Sequence, residues 1–163
     1  MKLSENIQKE LNAQLNRELF SAYLYLSMAA YFEKENLKGF AHWFKLQAKE
    51  EVSHAMKFFE YIIERNAEVE LTQIDKPKKD WAQPLEALKD TYEHEQKVTD
   101  YIHKILDLAI KEKDYATQNF LQWFVAEQVE EEAQALEILQ KLEKSKDSVG
   151  SLFVLDHHLG KRE

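Results

Sequence analysis

Four stretches of this chain carry apolar residues at the alternating three-and-four spacing of a helix, and each breaks its apolar stripe with a glutamate near the middle. The stretches run from about Ser4 to Glu35, Lys38 to Arg65, Pro84 to Glu112 and Tyr115 to Lys144. The inward stripe of the first is Leu11, Leu15, Glu18, Ala22, Tyr25, Ala29 and Phe32, and that of the second is Phe40, Phe44, Gln47, Glu51, His54, Phe58 and Ile62. The third reads Leu88, Thr91, Glu95, Val98, Ile102, Ile105 and Ala109, and the fourth Leu121, Phe124, Gln128, Glu131, Ala135, Ile138 and Leu142. A chain built this way must bury at least four carboxylates wherever the four stripes meet.

Burying one unpaired carboxylate costs several kcal/mol, and clustering four multiplies the repulsion. No lysine or arginine lies on the stripes, so the compensating charge is bound metal, with the His54 imidazole as a nitrogen ligand. Four glutamates sum to about −4, which two divalent ions balance. An oxygen-rich set with one imidazole suits iron or manganese better than structural zinc. A lone Glu-x-x-His pair says little, because two polar residues three apart on a helix normally face solvent. The coincidence of depth in four helices carries the inference. By itself Tyr25 reads as a core tyrosine, and His42, His94, His103, His157 and His158 read as surface or packing residues.

The links near Asn36–Leu37 and Lys113–Asp114 are short, so each joins antiparallel neighbours. Between the two hairpins, Asn66 to Gln83 spans 18 residues and, extended, reaches roughly 60 Å, enough to run the length of the bundle. The expected fold is therefore all-α: a four-helix bundle over about 4–145, made of two antiparallel hairpins joined by a long crossover, plus a short fifth helix at about 149–159, all in one domain covering 1–163. Ser4 is placed to cap the first helix, and Pro84 fits the first turn of the third. The fifth segment, Val149 to Leu159, is too short to stand alone and must dock on its own bundle or on a neighbouring chain. A second stripe on the first helix, Phe20, Leu24, Ser27, Met28 and Tyr31, faces away from the first and is expected to lie open as a subunit contact.

Only three glycines and two prolines punctuate the 163 residues, which disfavours a sheet-rich fold. The net charge of −8 argues against nucleic acid and for cationic partners. With no cysteine there is no disulfide, no thiolate zinc site and no cysteine-bound iron centre. The opening Met1-Lys2-Leu3-Ser4-Glu5 lacks the apolar run of a secretory signal, and Phe20 to Phe32 falls short of the roughly 20 residues of a membrane span, so a cytoplasmic protein without a membrane partner is expected.

Four longer stretches carry a family resemblance: Leu15-Asn16-Arg17-Glu18-Leu19-Phe20, Glu50-Glu51-Val52-Ser53-His54-Ala55, Tyr92-Glu93-His94-Glu95-Gln96, and Asn119 through Glu132 with its Val125-Ala126-Glu127-Gln128-Val129-Glu130-Glu131-Glu132 ending. In these stretches the chain resembles the bacterial and archaeal non-haem ferritins over essentially its whole length. The resemblance implies a ferroxidase that oxidises ferrous iron with dioxygen at a di-iron centre and stores the ferric product as mineral inside a homo-oligomeric cage of about two dozen subunits. It implies that Glu18, Glu51 and His54 hold one iron, that Glu51 bridges to a second held by Glu95 and Glu131, that Gln128 lies beside that second iron, and that Tyr25 stands close to the pair. Members with a third iron build it from residues matching Glu50, Glu127 and Glu130. It further implies that the fifth helix packs against its own copies around a four-fold axis.

Sister families differ at defined places. Bacterioferritins and rubrerythrins carry a second Glu-x-x-His, whereas here Glu131 is followed by Gln134; the haem-binding methionine of bacterioferritin is Val52, so no haem is expected. The acidic pair lining the three-fold pore of animal ferritins is matched by Gln118 and Leu121. The alternative within the same bundle class is a di-iron or di-manganese oxidase or peroxidase that stores nothing.

Overall fold

The computed structural model describes residues 2–163, and among them the only regular elements are five helices: α1 Glu5–Lys34, α2 Lys38–Glu64, α3 Pro84–Lys111, α4 Tyr115–Ser145 and α5 Val149–Leu159. Ser4 caps α1 by accepting the Ile7 N–H at 3.2 Å, and Pro84 opens α3. The first three helices stop in the same way. Asn36, Asn66 and Lys113 take left-handed φ values of 59°, 54° and 57°. The next residue then donates its N–H back across the last turn: Leu37 to the Phe32 carbonyl, Ala67 to Ile62 and Asp114 to Ala109, at 2.9–3.1 Å. The two short links are thus complete C-terminal caps that also turn the chain.

α1 packs on α2, α3 on α4, and α1 on α3, whereas α2 and α4 nowhere bring Cα atoms within 8 Å of each other. Side chains alone close that fourth seam. At one end the Tyr61 and Phe120 rings stack at 3.9 Å and Phe58 meets Phe124 at 4.3 Å. Every residue on the four predicted inward stripes is buried, the most accessible being Ala22 at 8%. The apolar core is nevertheless divided. One cluster gathers around Phe32, Phe40, Phe44 and Ile138, the other around Leu11, Phe58, Ile102 and Phe124, and the inward glutamates separate them.

The crossover runs along α1 in extended form, as its length predicts. Asn12 donates to the Glu68 carbonyl at 3.0 Å and accepts from the Glu70 N–H at 2.7 Å; further along, Asn16 donates to the carbonyls of Thr72 and Gln73, and Ser27 to that of Lys78. Trp81 then buries its ring against Tyr31 at 5.4 Å. This corrects the reading of the second α1 stripe. Leu24, Met28 and Tyr31 are buried and Phe20 and Ser27 are partly covered within the single chain, so this stripe is not an open subunit contact. The apolar residues that do face out on this hairpin are Tyr23 and Leu26 on α1 and Val52, Met56 and Ile63 on α2.

α5 folds back on its own bundle, against α2 and α4, through Leu155 and Leu159. Its Asp156 accepts the Phe40 N–H at 2.9 Å and so caps α2, whose own preceding residue, Leu37, has no side chain able to do so. The approach is close enough to require a glycine. A Cβ on Gly39 would stand 1.6 Å from the Asp156 carbonyl oxygen. On its other face α5 leaves Val149, Phe153 and Val154 exposed, so docking at home does not use up its apolar surface.

Candidate metal centre

Between the two core clusters, α1 supplies Glu18, α2 supplies Glu51 and His54, α3 supplies Glu95 and α4 supplies Glu131, all between 1% and 4% exposed. Glu51 and His54 lie one helical turn apart and point the same way, Nδ1 of the imidazole standing 3.2 Å from Glu51 Oε2 and 3.9 Å from Glu18 Oε2. Two sets of ligand atoms within 4.8 Å of one another emerge, Glu18–Glu51–His54 and Glu51–Glu95–Glu131, and they share Glu51. A carboxylate common to two three-ligand sets has the placement of a bridge between two ions.

A surrounding layer of amides and hydroxyls aims these carboxylates. Gln14 donates to Glu18 Oε1 at 2.9 Å from one turn earlier in α1, Gln47 donates to Glu131 Oε2, and Gln128 donates to Glu95 Oε2 at 3.1 Å. Tyr25 is fully buried and donates its hydroxyl to Glu95 Oε1. The His94 ring packs edge-on to Tyr25 at 5.8 Å with a nitrogen 2.8 Å from Ser21 Oγ, a packing role as expected. Glu95 has both oxygens engaged, by Tyr25 and Gln128, whereas Glu18 Oε2 is buried with no hydrogen bond at all. An orphaned carboxylate oxygen beside an imidazole and a second carboxylate fits a hard cation.

The electrostatics agree. Burial, reinforced by the neighbouring carboxylates, pushes Glu131 up to about 9 and Glu51 well above the usual carboxylate range. Burial likewise lifts Glu95 to about 7 against the opposing bonds from Tyr25 and Gln128, and raises the Tyr25 hydroxyl well above its ordinary value. Groups shifted in this way hold their protons to higher pH than the same groups in water. The metal-free protein should therefore lose stability as pH rises: Glu95 and Glu131 ionise near 4.5 when unfolded but only at about 7 and about 9 in the fold, so the fold is favoured below 4.5 and that advantage drains away through the two higher values. Thermal unfolding of chelator-stripped protein across that range should show a falling midpoint, and saturating Co(II) should remove the decline. A flat or rising midpoint without metal would contradict the burial of these charges.

The three outer glutamates are not gathered into one cluster. Glu127 comes within 3.5 Å of His54 Nε2 and forms a ligand set with His54 and Glu131, Glu50 pairs with Arg162 at 2.9 Å, and Glu130 is exposed. Sequence reasoning placed Gln47 on the inward stripe without giving it a task and passed over Gln14, although a glutamine four residues before a glutamate on one helix is a readable pairing. Thr99, which accepts from Gln128 at 3.2 Å, carried no such signal.

The comparisons with known proteins point the same way. The profile of the ferritin-like domain family matches residues 8–145. The bacterial non-heme ferritin of Bacteroides fragilis (strain 638R) is 43% identical over 160 residues, covering 98% of this chain and 99% of that protein, and the one from Staphylococcus aureus (strain MRSA252) is 42% identical, covering 98% and 96%. An open-pore ferritin from the hyperthermophilic archaeon Archaeoglobus fulgidus superposes with a TM-score of 0.98 at 48% identity, over 99% of this chain and 100% of that one. With four inward carboxylates, one histidine and a crossover-linked double hairpin that matches these proteins from end to end, the chain belongs to the ferritin family.

Proposed function

We propose that this protein is an iron-storage ferroxidase, oxidising ferrous iron with dioxygen at the centre formed by Glu18, Glu51, His54, Glu95 and Glu131 and keeping the ferric product as an oxyhydroxide mineral inside a cage of its own copies. The observation that carries this reading is the pair of buried ligand sets sharing Glu51, with Glu18 Oε2 left without a hydrogen bond. Iron is substrate here. Each of two ferrous ions gives up one electron, dioxygen takes both and leaves as hydrogen peroxide, and hydrolysis of the ferric ions releases protons to water.

The chain's own residues prepare this chemistry by binding and orienting. Hard anionic oxygens favour the ferric over the ferrous state, which supplies driving force without any further reductant. Gln14 and Gln47 hold one oxygen of Glu18 and Glu131, so that the other oxygen of each presents a preset geometry to incoming ions, while Gln128 and Tyr25 together fix the plane of Glu95. Tyr25 donates to Glu95 and is positioned to steady that carboxylate as its charge becomes shared with metal. Glu127, facing His54 from the wide α2–α4 seam, is the natural next ligand for an ion entering or leaving, with Glu50 and Glu130 further out and Gln128 behind the pair. No haem is assigned. The outward faces, Tyr23, Leu26, Val52, Met56 and Ile63 on the first hairpin and Val149, Phe153 and Val154 on α5, provide the apolar surface from which a cage of about two dozen chains is built.

None of the helices is long and apolar enough to cross a membrane, and we assign the protein to the cytoplasm. The test is iron loading in air. Assemblies that take up hundreds of irons, with an early rapid phase saturating at about two per chain, support storage. Uptake that stops at two per chain favours the non-storage di-iron or di-manganese oxidase, and a protein that stays monomeric by light scattering removes the enclosed cavity that mineral requires.

A further inference from the structure

One charged side chain reaches the metal centre from outside the four-helix bundle. Arg162 lies three residues beyond the end of α5 and is locked in place: its carbonyl accepts from His42 Nε2 at 2.6 Å, its Nη1 donates to the Trp43 carbonyl at 3.2 Å, and its guanidinium lies 4.8 Å from the centre of the Trp43 ring. From there Nη1 also donates to Gln47 Oε1 at 2.9 Å, and Nη2 meets Glu50 Oε1 at 2.9 Å. Gln47 is the residue whose amide N–H reaches Glu131, and Glu50 directly precedes Glu51. Through two contacts, then, Arg162 touches the amide that supports Glu131 and the carboxylate that precedes Glu51.

We propose that Arg162 is a positioning residue of the metal centre, fixing the Gln47 amide against Glu131 and holding Glu50 as a counter-ion that a cation must take over before Glu50 can serve as a ligand. The proposal rests on the metal-binding reading above. A glutamine amide has one accepting and one donating end, and either could face Glu131 if nothing held it. Arginine has donors only, never deprotonates in a protein, and bonds the oxygen end, so the donating end is turned to the carboxylate at every pH. The reverse orientation would set an amide oxygen against Glu131 and spoil the ligand's aim. The second contact works oppositely. While the guanidinium neutralises Glu50, that carboxylate is a poor ligand, so the site keeps its third ion weakly bound and ready to move on.

The two effects have opposite signs, which separates them from a merely structural role. In the whole assembled protein, anaerobic titration with Co(II) is expected to fill the paired site first and a weaker outer site second. Arg162→Gln should tighten the outer site about tenfold while lowering the saturated rate of ferrous oxidation about tenfold with little change in KM, the low end of what supporting contacts to metal ligands are worth. Arg162→Lys, which keeps the charge without the fork, should return the outer affinity to that of the wild type but not the rate. Leu155→Ala loosens α5 and with it both contacts of the guanidinium, so it should move the two properties in the same directions as Arg162→Gln, but less far. If Arg162→Gln matched the wild type in both measurements, or weakened both, the proposal would be overturned. Wild-type protein that bound no Co(II) at the paired carboxylates would instead overturn the metal-binding reading beneath it.

Discussion

Alanine in place of Glu51 is expected to eliminate the fast phase of ferrous oxidation, a loss of at least about a hundredfold, since even residues standing behind metal ligands are worth roughly 10- to 100-fold. Glu51 belongs to both ligand sets, so its removal dismantles the two together. Glu18→Ala, His54→Ala and Glu131→Ala should follow closely, each taking a ligand from at least one set. Stability in the metal-free state should move the other way. Glu51→Gln removes a buried acid crowded by Glu95, Glu18 and Glu131, and the stripped variant should unfold at the same temperature as the parent or higher. Stopped-flow oxidation beside thermal unfolding of stripped protein checks both halves, and wild-type rates in the alanine variants would sink the assignment.

The second large effect concerns Gly39. Alanine is the better helix former by about 1 kcal/mol, so on α2 alone Gly39→Ala would stabilise. The close approach of α5 reverses that sign. The added methyl would lie 1.6 Å from the Asp156 carbonyl oxygen and 2.5 Å from its carbon, and backbone cannot swing aside as a side chain does. α5 must lift, giving up the cap on Phe40 and the burial of Leu155 and Leu159. Two leucines at about 2 kcal/mol each and a helix cap at about 1 kcal/mol outweigh the gain in propensity. Amide hydrogen exchange should show Val149–Leu159 losing its protection while the middle of α2 keeps it, and an α5 as protected as in the parent would refute the steric argument.

The bundle and the depth of its candidate ligands were legible because both are written at one periodicity. A residue's inward direction follows from its place on a helical stripe, so Glu18, Glu51, His54, Glu95 and Glu131 could be set at one depth before any coordinates, and all are buried there. The second α1 stripe misled for a related reason. Its cover is an extended segment with no periodicity, held by hydrogen bonds to residues 51 to 58 positions away, and nothing local marks Trp81 as the lid over Tyr31. The same holds for Arg162. Its contacts with Gln47 and Glu50 span more than a hundred residues, and their existence depends on where α5 docks. α5 itself carries apolar residues on several sides, so its pattern shows that it must dock without saying on what, and the structure finds one face against its own bundle and another open.

The cap that Asp156 places on α2 also orders events in time. The Phe40 N–H and the carboxylate that satisfies it are separated by 116 residues, nearly three-quarters of the chain. A polypeptide emerging from the ribosome therefore displays the first hairpin with the opening turn of α2 uncapped, and Gly39 bare, throughout the synthesis of everything that follows. Completion of that hairpin waits for α5. A chain cut short before α5 carries all five inner candidate ligands on their helices yet still has an uncapped α2 and an uncovered patch around Trp43, so the presence of α5 is recorded at a place far from it in sequence.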